Sequence, residues 1–73
     1  MGWFTGKKDG YGYEAKVYDE KSKHGINGGR VSKLSLTDKN NKTVVNYDRG
    51  WDVSPKGRKS NKAVKSILSI FDD

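Results

Sequence analysis

Residues 60–71, with the sequence SNKAVKSILSIF, decide the fold, because they carry the clearest periodic pattern in this chain of 73 residues. Four large apolar residues recur there at spacings of three and four: Val64, Ile67, Leu68 and Phe71. An apolar stripe with that period is typical of an amphipathic α-helix that packs one face against a core. Ser60 or Asn61 is expected to cap the start of this helix.

Three stretches upstream of the helix show the alternation or β-rich composition of half-buried strands: residues 11–18, 30–37 and 43–53. Asn27-Gly28 in the first gap and the polar residues 38–42 in the second are turn signals. Pro55 and Gly57 then break the chain before the helix. We therefore predict an α+β fold in which a three-stranded antiparallel meander carries one C-terminal helix on one face (β-β-β-α).

The chain length predicts one small domain. Residues 1–10 are rich in glycine and lysine and are expected to form a loose N-terminal arm or a short edge strand, followed by a single domain over residues 11–73. There is no cysteine, which agrees with a cytoplasmic location. No apolar run approaches the roughly 20 residues that span a membrane, so we expect no membrane contact.

The net charge of +6 and the isoelectric point of about 9.7 favour an acidic partner such as nucleic acid. Five bases lie within ten residues at the predicted helix start: Lys56, Arg58, Lys59, Lys62 and Lys65. The other end of the helix carries Asp72 and Asp73. Because a helix is partly positive at its N-terminus and partly negative at its C-terminus, both ends carry the charge that destabilises it. This arrangement points to an anionic partner.

Bases at a helix start bind phosphate together with the free backbone N–H groups of the first turn. We expect the five bases to make the main contacts to DNA or RNA, with Arg30 and Lys33 as secondary contacts. The first three of the five are expected in the linker after Pro55, and only Lys62 and Lys65 on the helix. A solvated linker followed by a polar helix face is the structural alternative.

The sheet face away from the helix is expected to be mixed in charge, which argues against its insertion into a nucleic-acid groove. Strand parity assigns eight residues to that face: Glu14, Lys16, Tyr18, Lys33, Ser35, Asn46, Asp48 and Asp52. Within this set, Lys33 is placed to pair with Asp48 on the neighbouring strand.

Other candidate sites are weaker. Asp48 and Asp52 share a strand face but have no third ligand for a hard cation, so no metal site is predicted. The glycine-rich residues 25–30 lack the Gly-Lys-Ser/Thr of a phosphate-binding loop and are interpreted as a shaped turn. His24 is the one histidine, and nothing places it with a carboxylate in a cleft. We therefore expect neither a cofactor nor enzymatic activity.

Two motifs resemble those of a known group of proteins: Gly-Ile-Asn-Gly-Gly-Arg-Val-Ser-Lys-Leu at residues 25–34 and Asn-Tyr-Asp-Arg-Gly-Trp-Asp at residues 46–52. Together they resemble a family of small uncharacterised domains from low-GC Gram-positive bacteria and their phages and plasmids. The resemblance implies a mobile element and a cytosolic setting, with no activity to transfer.

The sequence therefore favours a small, basic, non-enzymatic module that contacts nucleic acid through phosphates. The alternative is a protein–protein interaction module, with an acidic protein or a second copy of the chain as its partner. The second case would be a homodimeric accessory factor of a phage or plasmid.

Overall fold

The computed structural model describes residues 2–72 and shows a five-stranded antiparallel sheet with one helix on one face. The strands follow one another in the sheet in chain order: β1 (Gly2–Lys8), β2 (Tyr11–Val17), β3 (Val31–Thr37), β4 (Thr43–Asp48) and β5 (Trp51–Val53). A 3-10 turn, Ile26–Gly28, lies in the loop between β2 and β3, and helix α1 (Gly57–Asp72) ends the described chain.

The predicted three-stranded meander is wrong, although the α+β class is correct. The first additional strand is β1, which corresponds to the edge-strand alternative for residues 1–10 and pairs with β2 along all seven of its residues. Asp9 and Gly10 connect the two strands with φ angles of 52° and 87°. A two-residue Asp-Gly turn with both φ angles positive is a favoured hairpin connection, because its twist matches that of the strands.

The second additional strand arises because residues 43–53, predicted as one strand, reverse direction after Asp48. Arg49 has a φ of 60°, and the N–H of Asp48 donates to the carbonyl of Gly50. This reversal places Trp51 opposite Tyr47, with the two rings 4.9 Å apart in an edge-to-face arrangement. Strand β5 is consequently a short outer strand beside β4.

The core lies between α1 and the helix-facing side of β2, β3 and β4. Twelve hydrophobic residues are buried there: Ala15, Val17, Ile26, Val31, Leu34, Leu36, Val45, Tyr47, Ala63, Val64, Ile67 and Leu68. The predicted apolar stripe of the helix and the predicted parity of β3 both supply members of this set. Each large aliphatic side chain contributes about 1.5–3 kcal/mol when fully buried, so this core is what holds the helix on the sheet.

Helix α1 begins at Gly57, before both of the predicted capping residues. The hydroxyl of Ser60 donates back to the carbonyl of Lys56, and the amide of Asn61 donates back to the carbonyl of Gly57. Gly57 itself has a φ of 81°, which a glycine adopts without strain. Arg58 and Lys59 therefore lie in the first helical turn and not, as predicted, in the linker.

The loop between β2 and β3 is closed by its own backbone. The N–H of Ser22 donates to the carbonyl of Gly29, and the N–H of Tyr18 donates to the carbonyl of Arg30. The hydroxyl of Tyr47 donates to the carbonyl of His24 and ties the loop to the sheet. These bonds give the glycine-rich residues 25–30 the role of a shaped turn.

Candidate nucleic-acid interface

Three segments that are distant in the sequence meet at one end of the molecule. An antiparallel meander places the β1–β2 turn and the β3–β4 turn at the same end of the strands, and α1 starts there. Lys42 of the second turn and Lys56 before the helix line one cleft of about 270 Å³, whose apolar floor includes Tyr11 and Val44. In the first turn, a carboxylate oxygen of Asp9 lies 3.4 Å from the helix hydroxyl of Ser66.

This convergence concentrates the charge of the chain. We define the basic end by its eight cationic residues: Lys7, Lys8, Lys39, Lys42, Lys56, Arg58, Lys59 and Lys62. Asp9 and Asp38 are the acids in the same segments, so the basic end carries six net positive charges. Outside it, residues 2–72 hold seven bases and six acids. Most of the net charge of the described residues therefore lies at one end, and the remainder is close to neutral.

The two acids at the basic end have local structural partners. The Asp38 carboxylate accepts the N–H of Asn40 at 2.8 Å and that of Lys42 at 3.0 Å, which holds the β3–β4 turn. Asp9 accepts the weaker contact from the Ser66 hydroxyl. Seven of the eight bases are exposed, and Lys8 is half-buried. Within residues 2–72, none of the eight cationic groups forms an ion pair, so all remain available to an external anion.

The helix start adds backbone donors to these charges. The first four N–H groups of an α-helix have no partner within the helix. Ser60 and Asn61 use their side chains on carbonyl groups, Gly57 has no side chain, and the first turn holds no acidic residue. The free N–H groups therefore point toward the same end as the lysines, with the positive end of the helix dipole.

The outer face of the helix carries a line of like charges. Arg58, Lys62 and Lys65 are separated by four and three residues and are all exposed, which places them on one stripe opposite the core. Like charges at such spacings destabilise a helix by about 0.2–0.5 kcal/mol per pair. Lys65 continues the stripe from the basic end toward the middle of the helix.

Arg30 lies far from the basic end. Its Nε–H donates to the carbonyl of Tyr18 at 2.8 Å, and its backbone N–H donates to the carboxylate of Asp72 in the last helical turn. A helix of 16 residues is about 24 Å long, which separates Arg30 from the helix start.

Lys33 lies on the sheet face opposite the helix, where its ammonium group is 3.6 Å from the carboxylate of Asp48. The ion pair inferred from strand parity is therefore present. Of the seven predicted contact residues, the structure brings together the five of the helix and its approach, and separates Arg30 and Lys33 from them.

Sequence reasoning missed the lysines of the two hairpin turns. Lys7 and Lys8 fell in the predicted N-terminal arm, and Lys39 and Lys42 were interpreted only as parts of a polar loop. The available signal was the Asp9-Gly10 dipeptide, which marks a hairpin. A hairpin at that position places both turns at the end of the strands where the helix begins.

The open face of the sheet is mixed in charge, as expected. The Lys16 ammonium group lies 5.8 Å from the centre of the Trp3 ring, and Lys33 is paired with Asp48. The Asp52 carboxylate lies 3.4 Å from the amide nitrogen of Asn46. Among residues 2–72, no group of three histidine or carboxylate side chains could hold a metal ion.

The fold and this interface define a small α+β domain with one strongly basic end and a nearly neutral body. The chain belongs to a family described as a domain of unknown function (DUF7678), whose family model matches residues 2–72 and so spans every strand and the helix. The resemblance to an uncharacterised small-domain family is confirmed at that level. Neither the curated proteins nor the solved structures that were searched include a match. In the described part of the chain, α1 is too short and too polar to cross a membrane.

Proposed function

We propose that this chain is a non-enzymatic module that binds nucleic acid through its phosphates, and that the basic end is the contact surface. The supporting observation is the concentration of six net positive charges at one end of a domain whose other described residues are close to neutral. Nucleic-acid binding without base recognition is dominated by lysine and arginine contacts to phosphate.

The basic residues of this surface are of a type that favours contacts to phosphate over recognition of the nucleotide sequence. Seven of the eight bases at the basic end are lysines, and four of these belong to the hairpin turns or their flanking strand residues. Lysine is a flexible point charge, whereas specific recognition of guanine more often uses the planar fork of arginine. We therefore expect low sequence specificity and a strong dependence on salt.

The proposed setting is the cytoplasm of a low-GC Gram-positive bacterium that carries a phage or plasmid encoding the chain. The two sequence motifs at residues 25–34 and 46–52 support this setting through the resemblance described above. In that setting the module would act on nucleic acid as an accessory factor.

Fluorescence anisotropy with labelled duplex DNA, single-stranded DNA and RNA tests the proposal. We expect a dissociation constant of about 10⁻⁴–10⁻⁶ M near physiological salt, and tighter binding as the salt is lowered. A chain that binds none of the three probes at low salt would refute the proposal and leave an acidic protein as the alternative partner.

Two double variants with the same net charge locate the surface. Lys56→Gln/Lys59→Gln removes two charges from the basic end, and Lys21→Gln/Lys23→Gln removes two exposed charges from the β2–β3 loop. For duplex DNA, the first variant is expected to reduce the slope of log K against log salt by about 1.8, which is 0.9 per lost contact. The second variant should leave the slope unchanged. Equal losses in both variants would show that the charge acts without a defined surface.

A further inference from the structure

The two edges of the sheet differ in what they offer a partner. Strand β5 is three residues long, whereas β1 is seven residues long and pairs with β2 without a bulge. The outer backbone groups of β1 are not used by the sheet, because β1 is its last strand. Natural edge strands are usually shortened, bulged or interrupted by proline or charge. In β1 the only such device is the pair Lys7 and Lys8 at one end.

Exposed apolar side chains accompany this free edge. Trp3 is 57% exposed and lies on the open face, and Phe4 is 47% exposed on the helix side. The Phe4 ring is 5.1 Å from the ring of Phe71. Ile70 is 53% exposed and lies four residues after Ser66, which contacts the β1–β2 turn, so Ile70 projects on the β1 side of the helix.

We propose that β1 pairs antiparallel with β1 of a second copy, about a two-fold axis at Thr5, so that two sheets join into one continuous sheet. In this register Gly2 lies opposite Lys8 of the other copy, Trp3 opposite Lys7, and Phe4 opposite Gly6. All seven residues of each strand are paired, which moving the axis by one residue does not allow. Both helices then lie on the same face of the joined sheet.

Charge and shape favour this register. The two lysines of each strand lie opposite Gly2 and Trp3, so no like charges are directly opposed, and Lys7 lies beside the indole of Trp3. On the helix side of the sheet, the Tyr13 ring lies next to Gly6. A Cβ added to Gly6 would lie 2.9 Å from the Tyr13 hydroxyl oxygen. Phe4 of the second copy therefore packs against the half-buried Tyr13, which covers the Phe4 ring that is 47% exposed in the monomer.

Sedimentation velocity of the full chain, without nucleic acid, tests the pairing. The wild-type chain is expected to sediment as a dimer at micromolar concentration. Phe4→Lys places a charge at the pairing edge and is expected to give a monomer. Val53→Lys, the control, introduces a lysine at the opposite edge of the sheet, where the Val53 side chain is 37% exposed. This control variant should remain dimeric. Circular dichroism establishes that both variants are folded.

A cysteine introduced at the axis tests the register independently. The chain has no native cysteine, so Thr5→Cys gives a single thiol that lies opposite itself in the proposed dimer. Oxidation or a short bismaleimide should cross-link this variant, while Ser69→Cys on the exposed helix face should stay uncross-linked. A monomeric wild-type chain, a dimer that survives Phe4→Lys, or a dimer in which Thr5→Cys does not cross-link would each overturn the proposal.

Discussion

The backbone N–H of Arg30 donates a 2.8 Å hydrogen bond to the Asp72 carboxylate, across 42 residues of sequence. This bond ties the last turn of α1 to the chain that enters β3. It gives Asp72 a structural role that accounts for an acid at the negative end of the helix dipole. The unfavourable charges that lack a structural explanation are consequently those of the helix start, at the basic end. Asp73 lies outside the described residues.

Two substitutions of Asp72 distinguish the stabilising contribution of this hydrogen bond from the unfavourable interaction of the carboxylate with the helix dipole. Asp72→Ala is expected to lower the free energy of unfolding by about 1 kcal/mol, because the Arg30 N–H loses its acceptor. Asp72→Asn keeps an acceptor oxygen and removes the unfavourable charge, so its stability should stay close to that of the wild type. Urea denaturation measures both. A loss in the asparagine variant as large as in the alanine variant would contradict this role.

Gly25 is expected to be intolerant of any side chain. A Cβ at this position would overlap the carbonyl oxygen of Gly29, which accepts the N–H of Ser22 across the loop. Gly25→Ala should therefore destabilise the fold by about 1–3 kcal/mol, the usual cost of overpacking. Gly50→Ala is the matched control, since a Cβ there meets nothing within 4 Å. Thermal unfolding of the two variants should differ clearly, and equal melting temperatures would show that the loop can adjust.

Charge reversal in the first helical turn should change stability and binding in opposite directions. Lys59→Glu places an acid near the positive end of the helix dipole, so we expect a stabilisation of about 0.3–1 kcal/mol. The same change removes a phosphate contact from the basic end and should weaken binding to DNA. Lys21→Glu, which has the same charge change outside the helix, should alter neither property strongly. If Lys59→Glu stabilised the fold without weakening binding, Lys59 would not be a contact residue.

Substitutions of Lys42 and Lys33 compare a lysine at the basic end with a lysine on the open face of the sheet. Lys42→Gln is expected to weaken nucleic-acid binding, because Lys42 lies beside Lys56 at the basic end. Lys33→Gln should leave binding unchanged and cost less than about 1 kcal/mol of stability, since its partner Asp48 is exposed. Anisotropy titrations at one salt concentration compare the two. The reverse ranking would place the interface on the open face of the sheet.

The sequence predicted the elements whose pattern depends on burial. The stripe of α1 and the apolar parity of Leu34 and Leu36 were visible because one face of each element contacts the core. Strand β1 was predicted only as one of two alternatives for residues 1–10, and β5 was merged with β4. Nearly all residues of β1 and β5 are exposed, so neither strand shows the alternation of a half-buried strand. The helix start was misplaced because Ser60 bonds back to Lys56, although its residue type is typical of a cap.

The sequence by itself therefore determined the fold class, the apolar stripe of α1, the core-facing Leu34 and Leu36 of β3, and the excess of positive charge, since these follow from composition and from periods of two and 3.6 residues. The tertiary structure decided the number of strands and the composition of the charged surface. Lys8, Lys42 and Lys56 are far apart in the sequence. They lie together only because two hairpin turns and the start of the helix are at the same end of the strands. The fold likewise separates Arg30 and Lys33 from that surface, because Arg30 lies in the loop before β3, beside the end of the helix, and Lys33 lies on the open face of the sheet.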